Sequence, residues 1–445
     1  MLGLPMRLPI VIALLLLAGS LAPERPGAQA PAGVTALTGA RVIDGTGRAP
    51  IDGATILVRD GRIEAAGAAS AVTVPPGATR VDLAGKTILP GFVNAHGHVQ
   101  KGFNNSTPIP IREDLIRRLK MYASYGVTTV VNLGANPDDE VEVIRLRDEQ
   151  NSLPGLDRAR VYTSGGSVRR WKTPEEARKD VDRLADLKVD VVKFHFDDPP
   201  NKMAPEVWGA IVEQAKKRSL RVTPHIFYLA DARAAVEKGV DALGHSVRDV
   251  DVDAAFIAEM KKRNVGYIPT LTRELSVYTY ETTPAFFTDP FFLRGMPLYR
   301  DHYNVVTQPS YQEKLKNDPA VQSIKKALLQ AQRNLKLLSD AGVPIAFGTD
   351  SGVPNNATFG RWEGYFEHVE LELMVQAGLT PMQALTAATG GSAAVSHLDH
   401  VGTIARGKAA DLLVLDANPL QDIKNTRQIH SVWIAGRRLP APGTN

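Results

Sequence analysis

Between residues 91 and 350 the chain repeats one pattern eight times: a short apolar segment, then a stretch with helical periodicity. The segments run 91–97, 128–134, 160–164, 189–196, 220–227, 242–247, 267–271 and 343–350. Such alternation builds a parallel sheet, because a strand that resumes in the same direction needs a crossover helix. Eight units predict a closed β/α barrel, whose reactive groups gather at the C-terminal ends of the strands. Two helix starts are legible as well. Thr173-Pro174-Glu175-Glu176 and Thr380-Pro381-Met382-Gln383 both have capping-box spacing with proline at the first helical position.

Those strand ends carry residue types that bind metals. His96 and His98 close the apolar run 87–95, and alternation at period two turns both imidazoles to one face. Further along, Lys193 lies in Val191-Val192-Lys193-Phe194, His225 ends Val222-Thr223-Pro224-His225, and His245 ends Ala242-Leu243-Gly244-His245. Asp350 ends Ile345-Ala346-Phe347-Gly348-Thr349-Asp350. The chain has no cysteine, which excludes disulfides, thiolate ligands and cysteine nucleophiles. Any metal is therefore held by nitrogen and oxygen.

The 445 residues suit a barrel with an attached small domain. With 52 Lys and Arg against 48 Asp and Glu, the net charge is +4 and scattered, which argues against a nucleic-acid groove. Residues 1–30 read as a signal peptide: Arg7, an apolar core over 10–18 too short to span a bilayer, and the small-residue pattern Ala28-Gln29-Ala30. Cleavage after Ala22 or a retained N-terminal anchor stays open, because Pro31 is a poor residue after a cut. Export into a bacterial periplasm or medium is expected, with no integral membrane span after processing.

Two flanks look like parts of one β domain. Residues 34–90 hold Ile56-Leu57-Val58 and Arg62-Ile63-Glu64-Ala65 around the turn Asp60-Gly61, and residues 396–445 hold Asp411-Leu412-Leu413-Val414-Leu415 and Ser431-Val432-Trp433-Ile434-Ala435. Neither half buries a core alone, so both are expected to join as a small β-sandwich beside a hydrolase barrel over 91–395, two separate decorations being the alternative.

The phrases Pro90-Gly91-Phe92-Val93-Asn94-Ala95-His96-Gly97-His98, Gly348-Thr349-Asp350, Glu370-Leu371-Glu372-Leu373-Met374, Ala377-Gly378-Leu379-Thr380-Pro381 and Gly402-Thr403-Ile404 through Gly407-Lys408-Ala409-Ala410-Asp411-Leu412 carry a resemblance. The chain resembles the amidohydrolase superfamily, in the group similar to imidazolonepropionases and metal-dependent prolidases. That resemblance implies an α/β fold, a (β/α)8 TIM barrel with a small β-sandwich built from both chain ends. It also implies two divalent metal ions, expected to be zinc. His96, His98 and Asp350 would hold the first, His225 and His245 the second, and Lys193, carboxylated to N6-carboxylysine, would bridge them. Asp350 would take the proton of a metal-bridging hydroxide and pass it to the departing amine. Two alternatives stay open: Lys193 paired with Asp197 or Asp198, and a one-metal site of His96, His98, His225 and Asp350. Phe227 stands where related enzymes often carry a second histidine.

Substrate contacts are less constrained. His195, two positions after Lys193, points to the same face, either touching substrate or standing by. The insertion 272–319 is rich in aromatics, including Tyr278 and Tyr280, and reads as an apolar lid or as a satellite core or oligomer contact. Phe359, Trp362 and Tyr365 follow the eighth segment. Arg169, Arg170, Arg248, Arg273 and Arg361 are all available to a substrate carboxylate; Arg273, Tyr278, Tyr280, Trp362 and His195 are the named candidates. Asn104-Asn105-Ser106 and Asn356-Ala357-Thr358 match glycosylation sequons. His368, Glu370 and Glu372 lack the His-Glu-x-x-His order, so Leu371, Leu373 and Met374 are expected to pack while the acids face water. His302, His397, His400 and His430 read as ordinary polar residues. The expected function is hydrolysis of a peptide or N-acyl amino-acid bond, with a small-molecule or peptide substrate and homo-oligomerisation left open. A one-metal deaminase or cyclic-amide hydrolase is the runner-up, and an inactive binding scaffold the remote alternative.

Overall fold

The computed structural model describes residues 33–102, 109–153, 155–352 and 360–440. Residues 1–30, expected to be a signal peptide, both sequons and Phe359 lie outside the described residues. Five strands open the described chain: β1 (Thr35–Val42), β2 (Ile51–Arg59), β3 (Arg62–Ala68), β4 (Thr79–Asp82) and β5 (Thr87–Pro90). Seven more alternate with helices: β6 (Phe92–Gly97), β7 (Val127–Asn132), β8 (Arg160–Thr163), β9 (Val191–His195), β10 (Arg221–His225), β11 (Ala242–Gly244) and β12 (Gly266–Ile268). The last three are β13 (Leu412–Leu415), β14 (Ile429–Ile434) and β15 (Arg437–Arg438).

Both chain ends enter one sheet, in the order β15-β14-β13-β5-β1-β2-β3, with β4 paired to β1. The join is antiparallel, with Leu412 opposite Pro90 and Leu415 opposite Thr87. At the turn between β2 and β3, Asp60 and Gly61 both have positive φ, 50° and 75°, as the two-residue hairpins that match strand twist require. That turn reaches back to the other end of the sheet: Ala410 N donates to Gly61 O at 2.8 Å, and Ile63 N to Lys408 O at 2.9 Å. Leu37, Ile56, Ile63 and Ile88 from one chain end pack with Leu412, Val414 and Trp433 from the other.

The middle of the chain forms two parallel sheets, β6-β7-β8 and β12-β11-β10-β9. All six residues of β7 are buried, as expected of parallel strands covered on both faces. Both predicted capping boxes form, at Thr173 with Glu176 and at Thr380 with Gln383. Backbone hydrogen bonds join the sheets at their edges: Asp190 N to Thr163 O at 2.8 Å and Val168 N to Lys193 O at 2.8 Å. At the other edge Tyr267 N reaches Pro344 O at 2.9 Å, Ala95 N reaches Phe347 O at 2.8 Å and Asp350 N reaches His96 O at 2.7 Å. The eighth segment differs from expectation, since residues 343–350 form only an isolated bridge from Ile345 to Tyr267. The Ser392 hydroxyl accounts for the interruption: it accepts from Phe347 N at 2.8 Å and lies 3.2 Å from Phe347 O, a partner from outside the ladder.

A buried ion pair ties the flanking sheet to the parallel strands. Arg160 on β8 donates to Asp411 at 2.6 Å, with side chains 7% and 3% exposed, and Asp411 also accepts from Ala435 N at 2.7 Å. Among the described residues no helix is long and apolar enough to cross a membrane. Removing one partner of such a pair strands a buried charge, so Asp411→Ala is expected to cost about 3–5 kcal/mol in denaturant unfolding.

Candidate metal centre

The C-terminal ends of the parallel strands bring all six expected donors into one cluster. Asp350 Oδ1 lies 2.8 Å from His98 Nε2 and 3.3 Å from His96 Nε2. One ligand atom from each of these residues lies within 4.8 Å of the other two, and all three side chains are buried. Lys193 Nζ stands 3.5 Å from His96 Nε2. The His245 ring centroid is 4.3 Å from that of His96 and 4.1 Å from that of His225, and His195 stacks on His225 at 4.7 Å. His225 and His245 stand beside the tight group of three rather than within it.

The rings are oriented from behind. His98 Nδ1 faces Gly134 O at 3.1 Å, and His245 Nδ1 faces Thr270 Oγ1 at 2.7 Å, so Nε2 is the atom left to act as ligand in each. Gln100 donates to the same Gly134 oxygen at 2.6 Å. His96 Nδ1 is buried with no hydrogen-bond partner. A Cβ at Gly244 would lie 2.8 Å from Lys193 Nζ and 3.0 Å from Pro224 O, so glycine gives the lysine its room. His245, Thr270 and Asp350 take left-handed backbone conformations, with φ of 72°, 51° and 56°. Each costs about 1–3 kcal/mol, strain of the kind that gathers at functional sites.

Burial sets the charge states. It pushes His96 down to about 3, helped by the nearby Lys193 charge, and holds His225 and His245 well below the usual imidazole range. All three rings are therefore neutral, the form that binds metals. Burial also lowers Lys193 to about 7; Asp350 opposes this, while Arg273 and Arg248 add to it. For Asp350, burial raises the carboxyl, but the Arg361 guanidinium, His245 and the hydrogen bonds of His96 and His98 outweigh it and hold it well below the usual carboxylate range. An ionised carboxylate, neutral imidazoles and a readily neutralised amine form a nitrogen and oxygen donor set that fits divalent cations.

These residues line a cavity of about 890 Å³, which His195, Arg248, Arg273 and Arg361 also line. The suggested pairing of Lys193 with Asp197 does not form. Asp197 bonds Arg169 and lies 3.7 Å from Arg170, and Asp198 sits against Tyr228.

Three aromatic expectations need correction, because Tyr278, Tyr280 and Trp362 do not line this cavity. Tyr280 and Trp362 are 0% and 1% exposed, packed with Phe287, Phe292 and Tyr299, and Tyr280 donates its hydroxyl to Gly360 O. Tyr278 packs at the edge of that cluster, with Lys325 Nζ 5.5 Å from its ring centroid. The insertion buries its rings against one another and forms a satellite core.

The acids of the helix Tyr365–Gln376 also differ from expectation. Glu370 is fully buried and accepts from Leu271 N, Thr272 N and Thr272 Oγ1 at 2.7–2.8 Å, anchoring the start of the helix Leu271–Tyr278. Glu372 is partly buried and bonds Arg427. His368 is a core residue between Thr426 Oγ1 and Tyr125 O, each at 2.9 Å. Thr270, Gln100 and Glu274 were not foreseen from the sequence either, and nothing local separates buried Glu370 from Glu372 in the alternating stretch 369–374.

Parallel strands with His, Lys and Asp at their C-terminal ends define an α/β protein with a metal-type donor cluster. The chain belongs to the Amidohydrolase family, whose profile matches residues 87–439. The ochratoxinase of Aspergillus niger is 26% identical over 256 residues, which make up 56% of this chain and 44% of that protein, so the match spans less than half of that relative. The imidazolonepropionase of Caldanaerobacter subterraneus subsp. tengcongensis is 22% identical over 421 residues, covering 82% of this chain and 85% of its own. The crystal structure of a candidate prolidase from Bifidobacterium longum superposes with a TM-score of 0.73 at 25% identity, covering 93% of this chain and 96% of that one. Family and structural likeness together imply a TIM-barrel-type α/β fold.

Glu370 accepts from Leu271 N and Thr272 N at the start of the helix that carries Arg273 and Glu274, and from Thr272 Oγ1, which also reaches Thr349 O at 3.0 Å. Glu370→Ala is expected to destabilise the protein by about 3 kcal/mol or more, because each buried donor left without a partner costs about 1–3 kcal/mol, and a thermal melt reads the loss.

Proposed function

We propose that the protein is an exported, metal-dependent hydrolase of amide bonds, acting on a peptide or an N-acyl amino acid. The observation that carries this reading is the convergence of His96, His98, Lys193, His225, His245 and Asp350 on one cavity wall. In this reading residues 91–395 close into an eight-unit barrel, with the segments 34–90 and 396–445 forming a β-sandwich at its side. His96, His98 and Asp350 would hold one zinc ion and His225 and His245 a second, with Lys193 carboxylated between them. The buried, near-neutral Lys193 amine supports carboxylation, since the free amine is the form that attacks carbon dioxide. Export rests on Arg7, the apolar run 10–18 and Ala28-Gln29-Ala30.

Bound there, the ions would supply an activated water and draw charge from the substrate carbonyl. Asp350 accepts the proton of the attacking water and delivers it to the leaving nitrogen, base and then acid. Arg361 bonds the outer oxygen of Asp350, leaving the inner one turned to His96 and His98.

The imidazolonepropionase likeness favours a second reading, hydrolysis of a cyclic amide. Lys193 without an acidic hydrogen-bond partner supports the two-ion form over a one-metal site.

Asp350→Asn is expected to lower kcat by about a hundredfold to ten-thousandfold with metal content largely kept, read by steady-state kinetics beside elemental analysis. Near-normal turnover would remove Asp350 from its role. Reconstitution of metal-free protein with zinc at a fixed concentration of dissolved carbon dioxide is expected to quicken as pH rises from 6 to 8, by about tenfold if the neutral amine limits the step. The sign follows from a lysine that titrates at about 7: below that value it is protonated and unreactive, above it free.

A further inference from the structure

The sequence leaves five arginines open to a substrate carboxylate, and the structure separates them. Arg169 is engaged by Asp197 through two hydrogen bonds. Arg170 stands outside the cavity, its side chain 58% exposed. Arg361 bonds Asp350 and Ser276 Oγ. Arg248 lines the cavity but has no exposed side-chain surface: it donates from Nη1 to Ile226 O and Ser246 O at 3.1 and 2.8 Å, lies 4.5 Å over the Phe227 ring and pairs with Glu274.

Arg273 is the one that remains. It lines the cavity, its side chain is 22% exposed, and its Nε makes no hydrogen bond while standing 3.9 Å from Asp350 Oδ2. Glu274 fixes it from behind through one oxygen, shared between Arg273 Nη1 at 2.5 Å and Arg248 Nε at 3.1 Å. At the cavity floor Arg248, Arg273 and Arg361 thus face two carboxylates, those of Glu274 and Asp350, and one positive charge is left unmatched. A planar guanidinium with a free edge suits a carboxylate partner.

We infer that Arg273 reads a carboxylate on the leaving amine of the substrate, held in place by Glu274, whose carboxylate Arg248 shares. Its position beside Asp350 sets which half of the substrate carries the charge, because Asp350 is where the leaving nitrogen is protonated. An anion at Arg273 lies on that same side, so the substrate releases an amino acid with a free α-carboxylate. The inference rests on the amide-hydrolase reading and narrows it.

The test compares N-benzoyl-L-phenylalanine with its carboxamide on the zinc-loaded protein, for wild type, Arg273→Gln and Arg273→Lys. Wild type is expected to favour the free acid in kcat/KM by about thirtyfold or more, since a site built around a charged group rejects the analogue that lacks it. Arg273→Gln is expected to lose most of that preference, through a KM that rises far more for the acid than for the carboxamide, while Arg273→Lys keeps part of it. Equal treatment of both substrates by wild type, or a parallel loss on both in Arg273→Gln, would overturn the inference and leave amide hydrolysis standing. If wild type cleaves neither, the hydrolase reading fails, and calorimetric titration with L-phenylalanine and L-phenylalaninamide decides separately. A wild-type preference for the acid that Arg273→Gln abolishes supports Arg273; no preference, or one that survives in Arg273→Gln, refutes it.

Discussion

One buried carboxylate organises the active face. Asp350 lies between two imidazoles on one side and the Arg361 guanidinium on the other, all nearly sealed from water. In such surroundings an ionised group persists only when its partners are already fixed. The rest of the site can be read as the means of fixing them. The chain holds Asp350 in a left-handed turn, Gly134 and Gln100 orient His98, and Thr270 orients His245.

The same burial divides the nearby groups by charge. Desolvation disfavours any charged form, so imidazoles lose their protons and the lysine comes close to losing its own. Asp350 escapes because arginine and two histidine hydrogen bonds compensate it. Glu367 lacks such a cation, and burial pushes it up to about 7 despite hydrogen bonds from Ser351 and Thr349. Two carboxyl groups on neighbouring elements are thus poised differently by their company alone.

The parallel strands and the donor residues were legible in the sequence because both depend on local pattern. Alternation at period two put His96 and His98 on one face, and β6 to β12 fall close to the segments read from apolar runs. What escaped was set by distant partners. Ser392 interrupts the ladder near Phe347 from 45 residues away, and Glu370 finds its three donors about 100 residues upstream. No window of adjacent residues carries that information. The aromatic insertion stayed open between two readings for a related reason, since the same rings serve a lid or a private core, and only three-dimensional packing decides for the core.

The pairing of β5 with β13 has a consequence for biogenesis. More than 300 residues separate Pro90 from its partner Leu412, so that edge of β5 stays unpaired until β13 has been made. Contacts this far apart are slow to form and leave an open strand edge meanwhile, a template for mispairing between nascent chains. Strands β1 to β5 pair among themselves, but completion of the sheet waits on β13, and the β5 edge stays open to mispairing until that strand docks.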